Sequence, residues 1–245
     1  MYARLAGIVA ALVVAGSAAA APSGRDLYAQ KCASCHGPDA IGVPEPRQGK
    51  GQLGETGFGP PLQGVGALAA DFYLRTGYMP LRDPYDQPRR QTPAFGDEGI
   101  EALVAYVSSF GGPGIPPPHP GRGSLSEGLK LFTENCAGCH QVVAEGGIVL
   151  GAIAPPLRSS SPREIAEAVR IGPYLMPRFS KQQLSDGQLD SIIRYVGLTK
   201  DPDDRGGWGL GHIGPIPEGL VAWLLAGSAL VLVAVIIGSR ARRER

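Results

Sequence analysis

Cys32-Ala33-Ser34-Cys35-His36 returns as Cys136-Ala137-Gly138-Cys139-His140, and the two blocks contain all 4 cysteines of the chain. Cys-x-x-Cys-His is the attachment sequence for c-type haem. The two thiols add to the haem vinyl groups, and the adjacent histidine supplies an axial nitrogen to the iron. A lone Cys-x-x-Cys also suits a redox dithiol or half of a zinc site. Two pairs on one zinc ion, however, would leave His36 and His140 without a role. A thioredoxin-like motif would need a βαβ context, which the sequence does not show.

The methionines point to the second axial ligand. There are 3. Met1 is the initiator, and the others lie in Arg75-Thr76-Gly77-Tyr78-Met79-Pro80 and Arg170-Ile171-Gly172-Pro173-Tyr174-Leu175-Met176-Pro177. Methionine is ordinarily a flexible core filler. Here it is confined to two matched positions, each a few tens of residues after a haem-type histidine and each followed by proline. The candidate sites are therefore Cys32, Cys35, His36 and Met79 for one haem, and Cys136, Cys139, His140 and Met176 for the other. The iron ligands are His36 with Met79 and His140 with Met176. Histidine–methionine ligation raises the reduction potential. It also fills the sixth position, which disfavours oxygen or peroxide chemistry and leaves electron transfer. His119 and His212 fall in Pro/Gly-rich stretches and read as solvated loop histidines.

The similarity between the two halves extends beyond the motifs. Gly24–Lys31 parallels Gly128–Asn135, Gly59-Pro60-Pro61-Leu62 parallels Ala154-Pro155-Pro156-Leu157, and Glu101–Tyr106 parallels Asp190–Tyr195. Two copies of one mainly α domain are expected, over 22–111 and 124–200, joined by a semi-rigid Pro/Gly linker at 112–123. Each copy opens with a short helix, capped by Ser23 with Asp26 or by Ser124 with Glu127. Each closes with an amphipathic helix. Ile100, Leu103, Val104 and Val107 form the apolar stripe of the first. Leu189, Ile192, Ile193 and Val196 form that of the second, behind a Ser185/Gln188 capping box. The Gly- and Pro-rich stretches between histidine and methionine read as loops. Ile41–Gly57 is an additional polar loop in the first copy.

The chain of 245 residues carries a formal charge of +1. That length suits two small domains plus membrane segments. Residues 1–21 read as a signal peptide or an N-terminal anchor: Arg4, an apolar run from Leu5 to Ala15, then small residues up to Ala21. At the other end, after a juxtamembrane linker at 201–219, residues 220–239 read as a transmembrane helix, with Leu220–Gly238 free of charge. Arg240, Arg242, Arg243 and Arg245 follow, marking 240–245 as a basic cytoplasmic tail, while Trp208 and Trp223 suit the opposite interface. The haem region is therefore expected on the extracytoplasmic side of the cell membrane. Between the two ends, 18 basic residues stand against 21 acidic ones, net −3. This disfavours a nucleic-acid partner.

Two haem domains, the stretch Gly206-Gly207-Trp208-Gly209-Leu210-Gly211-His212-Ile213-Gly214-Pro215-Ile216-Pro217-Glu218-Gly219 and a single helix with a basic end together resemble the dihaem cytochrome c subunit of the actinobacterial cytochrome bc1 complex. Met79-Pro80-Leu81 followed by Gln91-Thr92-Pro93-Ala94-Phe95 is similar as well. The resemblance implies tandem class I cytochrome c domains with two covalent haems c. It implies a subunit of a quinol–cytochrome c reductase, an oxidoreductase and translocase in which this chain is itself an electron carrier. Electrons would pass from the Rieske iron–sulfur subunit to cytochrome c oxidase in a supercomplex, with cytochrome b as a further partner. Pro60 and Pro155 resemble the proline of small cytochromes c whose carbonyl binds the ligating histidine. Two other readings compete: a membrane-anchored dihaem cytochrome c serving a dehydrogenase or another terminal oxidase, and a dihaem peroxidase. The peroxidase would need an open iron site.

Overall fold

The computed structural model describes residues 22–44, 58–83, 87–149, 151–200 and 215–243. The N-terminal signal or anchor, most of the Ile41–Gly57 loop, and the juxtamembrane stretch with Trp208 and His212 lie outside the described residues. The chain divides into one unit ending at Lys200 and another from Asp201 to Arg245.

In the first unit α1 (Gly24–Lys31), α2 (Ala33–His36), α3 (Gly66–Arg75) and α4 (Asp97–Ser108) build the first copy. After a 3₁₀ turn at Pro120–Arg122, the second copy follows with α5 (Leu125–Asn135), α6 (Ala137–His140), the hairpin β1 (Gly147–Val149) and β2 (Ala152–Ala154), α7 (Pro162–Ile171) and α8 (Asp186–Lys200). The hairpin is antiparallel, with Ile148 opposite Ile153.

The caps read from sequence are present. Ser23 Oγ accepts from the Asp26 N–H and Ser124 Oγ from the Glu127 N–H. Ser185 and Gln188 exchange both capping bonds, at 2.9 and 3.3 Å. Both apolar stripes are buried: Ile100, Leu103, Val104 and Val107 in one core, Leu189, Ile192, Ile193 and Val196 in the other. Burying one such aliphatic side chain contributes about 1.5–3 kcal/mol, so these stripes anchor each closing helix to its copy.

The first and last helices of each copy cross at a glycine. A Cβ on Gly24 would meet the backbone carbonyl of Ala102, and one on Gly128 that of Ser191. These glycines occupy matched positions in the repeat. Tyr28 packs on Tyr106 at one crossing and Phe132 on Tyr195 at the other, with ring centroids 5.2 and 5.4 Å apart. Gly128→Ala should therefore destabilise by about 1–3 kcal/mol, the usual cost of overpacking. A thermal melt of the purified full chain would show a lowered midpoint. An unchanged midpoint would mean that the helices separate freely.

The stretches between histidine and methionine are not the loops expected from their glycines and prolines: α3 and α7 lie there. Ser161 caps α7 with a complete capping box to Glu164, proline occupies its first turn, and Gly172 ends it in the left-handed conformation (φ 66°). The 112–123 connection is also more than a spacer. Its Pro113 carbonyl accepts from the Leu68 N–H in the first copy, and its His119 N–H donates to Asp190 in the second.

In the second unit α9 (Pro215–Arg243) is a single helix. Its Gly219–Arg243 portion contains an 18-residue stretch of mean hydropathy 2.8 and is long and apolar enough to cross a membrane. The helix continues through Arg240, Arg242 and Arg243, so these arginines extend its end rather than forming a separate tail.

Candidate haem sites and the wall between them

Each Cys-x-x-Cys-His block forms one helical turn directly after the first helix of its copy. Cys32 and Cys136 cap α2 and α6, whose last residues are His36 and His140. The chain then reverses in the same way in both copies. The Gly42 N–H donates to the His36 carbonyl at 2.8 Å, and the Gly146 N–H to the His140 carbonyl at 2.9 Å. Leu62 N–H donates to Ala40 and Leu157 N–H to Ala144, both at 2.9 Å. Val43 pairs with Gly59 at the place where Gly147 pairs with Ala154. The extra residues of the first copy are thus inserted where the second has a hairpin turn.

This reversal brings a proline carbonyl back to each histidine. His36 Nδ1–H donates to Pro60 O at 2.8 Å and His140 Nδ1–H to Pro155 O at 3.0 Å. A carbonyl only accepts, so the proton must sit on Nδ1, and the Nε2 lone pair is left free to ligate a metal. Burial also holds the His140 imidazole below its usual pKa and so favours the neutral form, outweighing the Pro155 hydrogen bond, which raises it.

In the second copy Cys136, Cys139, His140 and Met176 share the wall of one cavity of about 410 Å³. Phe132, Leu157, Ile165, Val169, Phe179 and Ile192 supply much of its apolar lining. The methionine turn is braced from behind. Buried Arg170 donates to the carbonyls of Phe179, Ser180 and Leu184 and pairs with Asp186 at 2.8 Å. In the first copy Arg75 occupies the matched position and pairs with Asp97 at 2.8 Å, and the Met79 N–H donates to Tyr73 O at 3.1 Å. Each brace therefore joins the helix before the methionine to the first residue of the closing helix. The signal in sequence was an Arg-x-Gly before each methionine and an aspartate opening each last helix. Residues 45–57 and 84–86, which flank the first set, lie outside the described residues. His119 is exposed, as expected for a loop histidine.

The family model for cytochrome c matches residues 21–111, and that for cytochrome c oxidase, cbb3-type, subunit III matches residues 123–196. The cytochrome bc1 complex cytochrome c subunit of Corynebacterium diphtheriae is 36% identical over 236 residues, covering 89% of this chain and 80% of its own. That of Mycobacterium tuberculosis is 36% identical over 234 residues, covering 91% and 79%. The chain belongs to the family of cytochrome bc1 complex cytochrome c subunits. The cbb3-type cytochrome c oxidase subunit CcoP of Azospirillum is more distant, 29% identical over 197 residues, covering 71% and 60%.

The donor set of this cytochrome c subunit suits covalent haem c: paired thiols, an oriented imidazole and a thioether around an apolar cavity. Burial, then the neighbouring Cys35, pushes the Cys32 thiol up to about 11; burial and Cys139 do the same to Cys136. These are not the activated thiolates of a dithiol oxidoreductase. The subunit is a haem c electron-transfer protein whose chemistry belongs to the iron.

Sequence reasoning missed how the two copies meet. Asp71 on α3 and Glu167 on α7 are 1% and 0% exposed. Arg163 of the second copy reaches Asp71 at 2.8 Å and Glu167 at 3.2 Å, and Arg75 reaches Asp71 at 2.9 Å. Asp71 Oδ2 and Glu167 Oε2 are buried with no hydrogen-bond partner. Burial, then the charge of Asp71, pushes the Glu167 carboxyl well above the carboxylate range. It therefore holds its proton beside the Asp71 carboxylate. Nothing in either local sequence reveals this pair, because its members come from different copies.

Proposed function

We propose that this subunit carries two covalent haems c and relays single electrons from a Rieske iron–sulfur subunit to cytochrome c oxidase, beside cytochrome b in a quinol–cytochrome c reductase. Cys32 and Cys35 anchor the first haem, with His36 and Met79 as iron ligands. Cys136 and Cys139 anchor the second, with His140 and Met176. Bound haem supplies one-electron oxidation and reduction at iron. The chain supplies the rest. Pro60 and Pro155 fix the tautomer and plane of each histidine, Arg75 and Arg170 hold the methionine turns, and the apolar walls keep water out. The haem domains lie on the extracytoplasmic side and the α9 arginines on the cytoplasmic side.

The observation that carries this reading is the histidine–proline bond, present in both copies at 2.8 and 3.0 Å. Pyridine haemochrome assay of the full chain should find two covalent haems, Cys136→Ala with Cys139→Ala should leave one, and purification in mild detergent should recover cytochrome b and the Rieske subunit. A single haem in the wild-type chain would sink the assignment. The match of residues 123–196 to cbb3-type oxidase subunit III favours a second reading, an anchored dihaem cytochrome serving another terminal oxidase. Recovery of such an oxidase without cytochrome b would select it.

A further inference from the structure

The cavity that holds His140 and Met176 is not closed by the second copy alone. Phe72, Thr76, Tyr78, Gln87, Arg89 and Arg90 of the first copy complete its wall. Two side chains fasten that wall. Gln87 Oε1 accepts from the Ile153 N–H at 3.1 Å while its Nε2 donates to the Ile153 carbonyl at 3.0 Å. One amide thus pairs with the backbone of β2 as a neighbouring strand would. Arg90 reaches Glu164 at 2.7 Å. Glu164 is the capping-box carboxylate of α7, and its other oxygen accepts from the Ser161 N–H at 2.6 Å. At the base of the wall the Gln91 N–H donates to Thr76 O at 3.1 Å. Tyr78, directly before Met79, also faces this cavity. The chain that presents Met79 to one site therefore walls the other.

We propose that Gln87 and Arg90 are positioning residues for the second haem: they dock the Met79-bearing chain of the first copy as one wall of the His140/Met176 pocket. The proposal rests on the two-haem reading above. Its physical content is directional. A ferric iron carries one more positive charge than a ferrous one, so cations beside the pocket favour the reduced form. A wall that keeps water out does the same, because water solvates the more highly charged state better. Removing the clamps loses both effects, and both losses lower the potential of the second haem. The clamps also hold the two copies together by direct contact, in addition to the 112–123 linker.

The test is a spectroelectrochemical titration of the full chain in detergent. Single Met79→His and Met176→His variants identify which transition belongs to which haem. The double variant Gln87→Ala/Arg90→Met should keep two covalent haems. It should shift the transition tagged by Met176 toward the ferric state by about ten-fold, ~59 mV for one electron, and leave the one tagged by Met79 unshifted. Arg90→Lys, which keeps the charge opposite Glu164, should retain most of the wild-type value. If the double variant shifts only the Met79-tagged haem, or neither, the inference is overturned while the two-haem reading stands. If the wild-type chain itself binds fewer than two haems, the underlying reading falls instead.

Discussion

Met176→His should lower the potential of the second haem by at least about a tenth of a volt, within the roughly 0.8 V that axial ligation spans. The thioether is a soft, neutral ligand that favours ferrous iron, whereas a second imidazole stabilises the ferric state. His140 remains bound to the Pro155 carbonyl in the variant, so only one ligand changes. Met79→His should do the same to the first haem, because Pro60 orients His36 in the same way. An electron moving through two haems cannot pass rapidly through one whose potential has fallen that far, so quinol-driven oxidase turnover should slow in both variants. Potentiometric titration checks the first effect and oxygen uptake the second. Two unshifted transitions would show that neither methionine is a ligand.

Breaking the carboxyl pair between the copies should have the largest effect on stability. Arg163→Met removes a cation that bridges Asp71 and Glu167 and should cost about 3 kcal/mol, the low end of the range for stripping one partner from a buried ionic group, since Arg75 remains on Asp71. Glu167→Gln should act differently. The folded chain holds the Glu167 proton up to about pH 8, whereas the unfolded chain releases it near 4.5. Below about 4.5 both states are protonated and the contribution of the retained proton is fully present. Between about 4.5 and 8 the unfolded state binds fewer protons, so stability falls as pH rises, and above about 8 the contribution is gone. Glutamine cannot ionise, so denaturation at pH 5, 7 and 9 should show the variant gaining on the wild type as pH increases. A constant difference across that range would mean that the folded chain does not hold the Glu167 proton.

The haem motifs, the helix caps and both apolar stripes were legible in the sequence because each depends on residues a few positions apart, and the repeat because those local patterns recur in the same order. The carbonyl bonds of His36 and His140 were also expected, from the resemblance of Pro60 and Pro155 to the proline of small cytochromes c. α3 and α7 were not foreseen, although Ser161, Glu164 and Gly172 marked the limits of α7. Glycine and proline nearby outweighed that signal, yet they stand at the ends of the helix and not inside it.

By itself the sequence determined the covalent chemistry: which sulfurs, imidazoles and thioethers are available, and that they occur twice in one order. Only the tertiary structure decided that the two copies share a wall. Gln87 with Ile153, Arg90 with Glu164 and Asp71 with Glu167 are separated by 66, 74 and 96 positions. Local pattern does not carry pairings of that kind. They exist because the two copies brought polar groups of α3, α7, β2 and the chain after Met79 out of water against each other, where buried polar groups need partners.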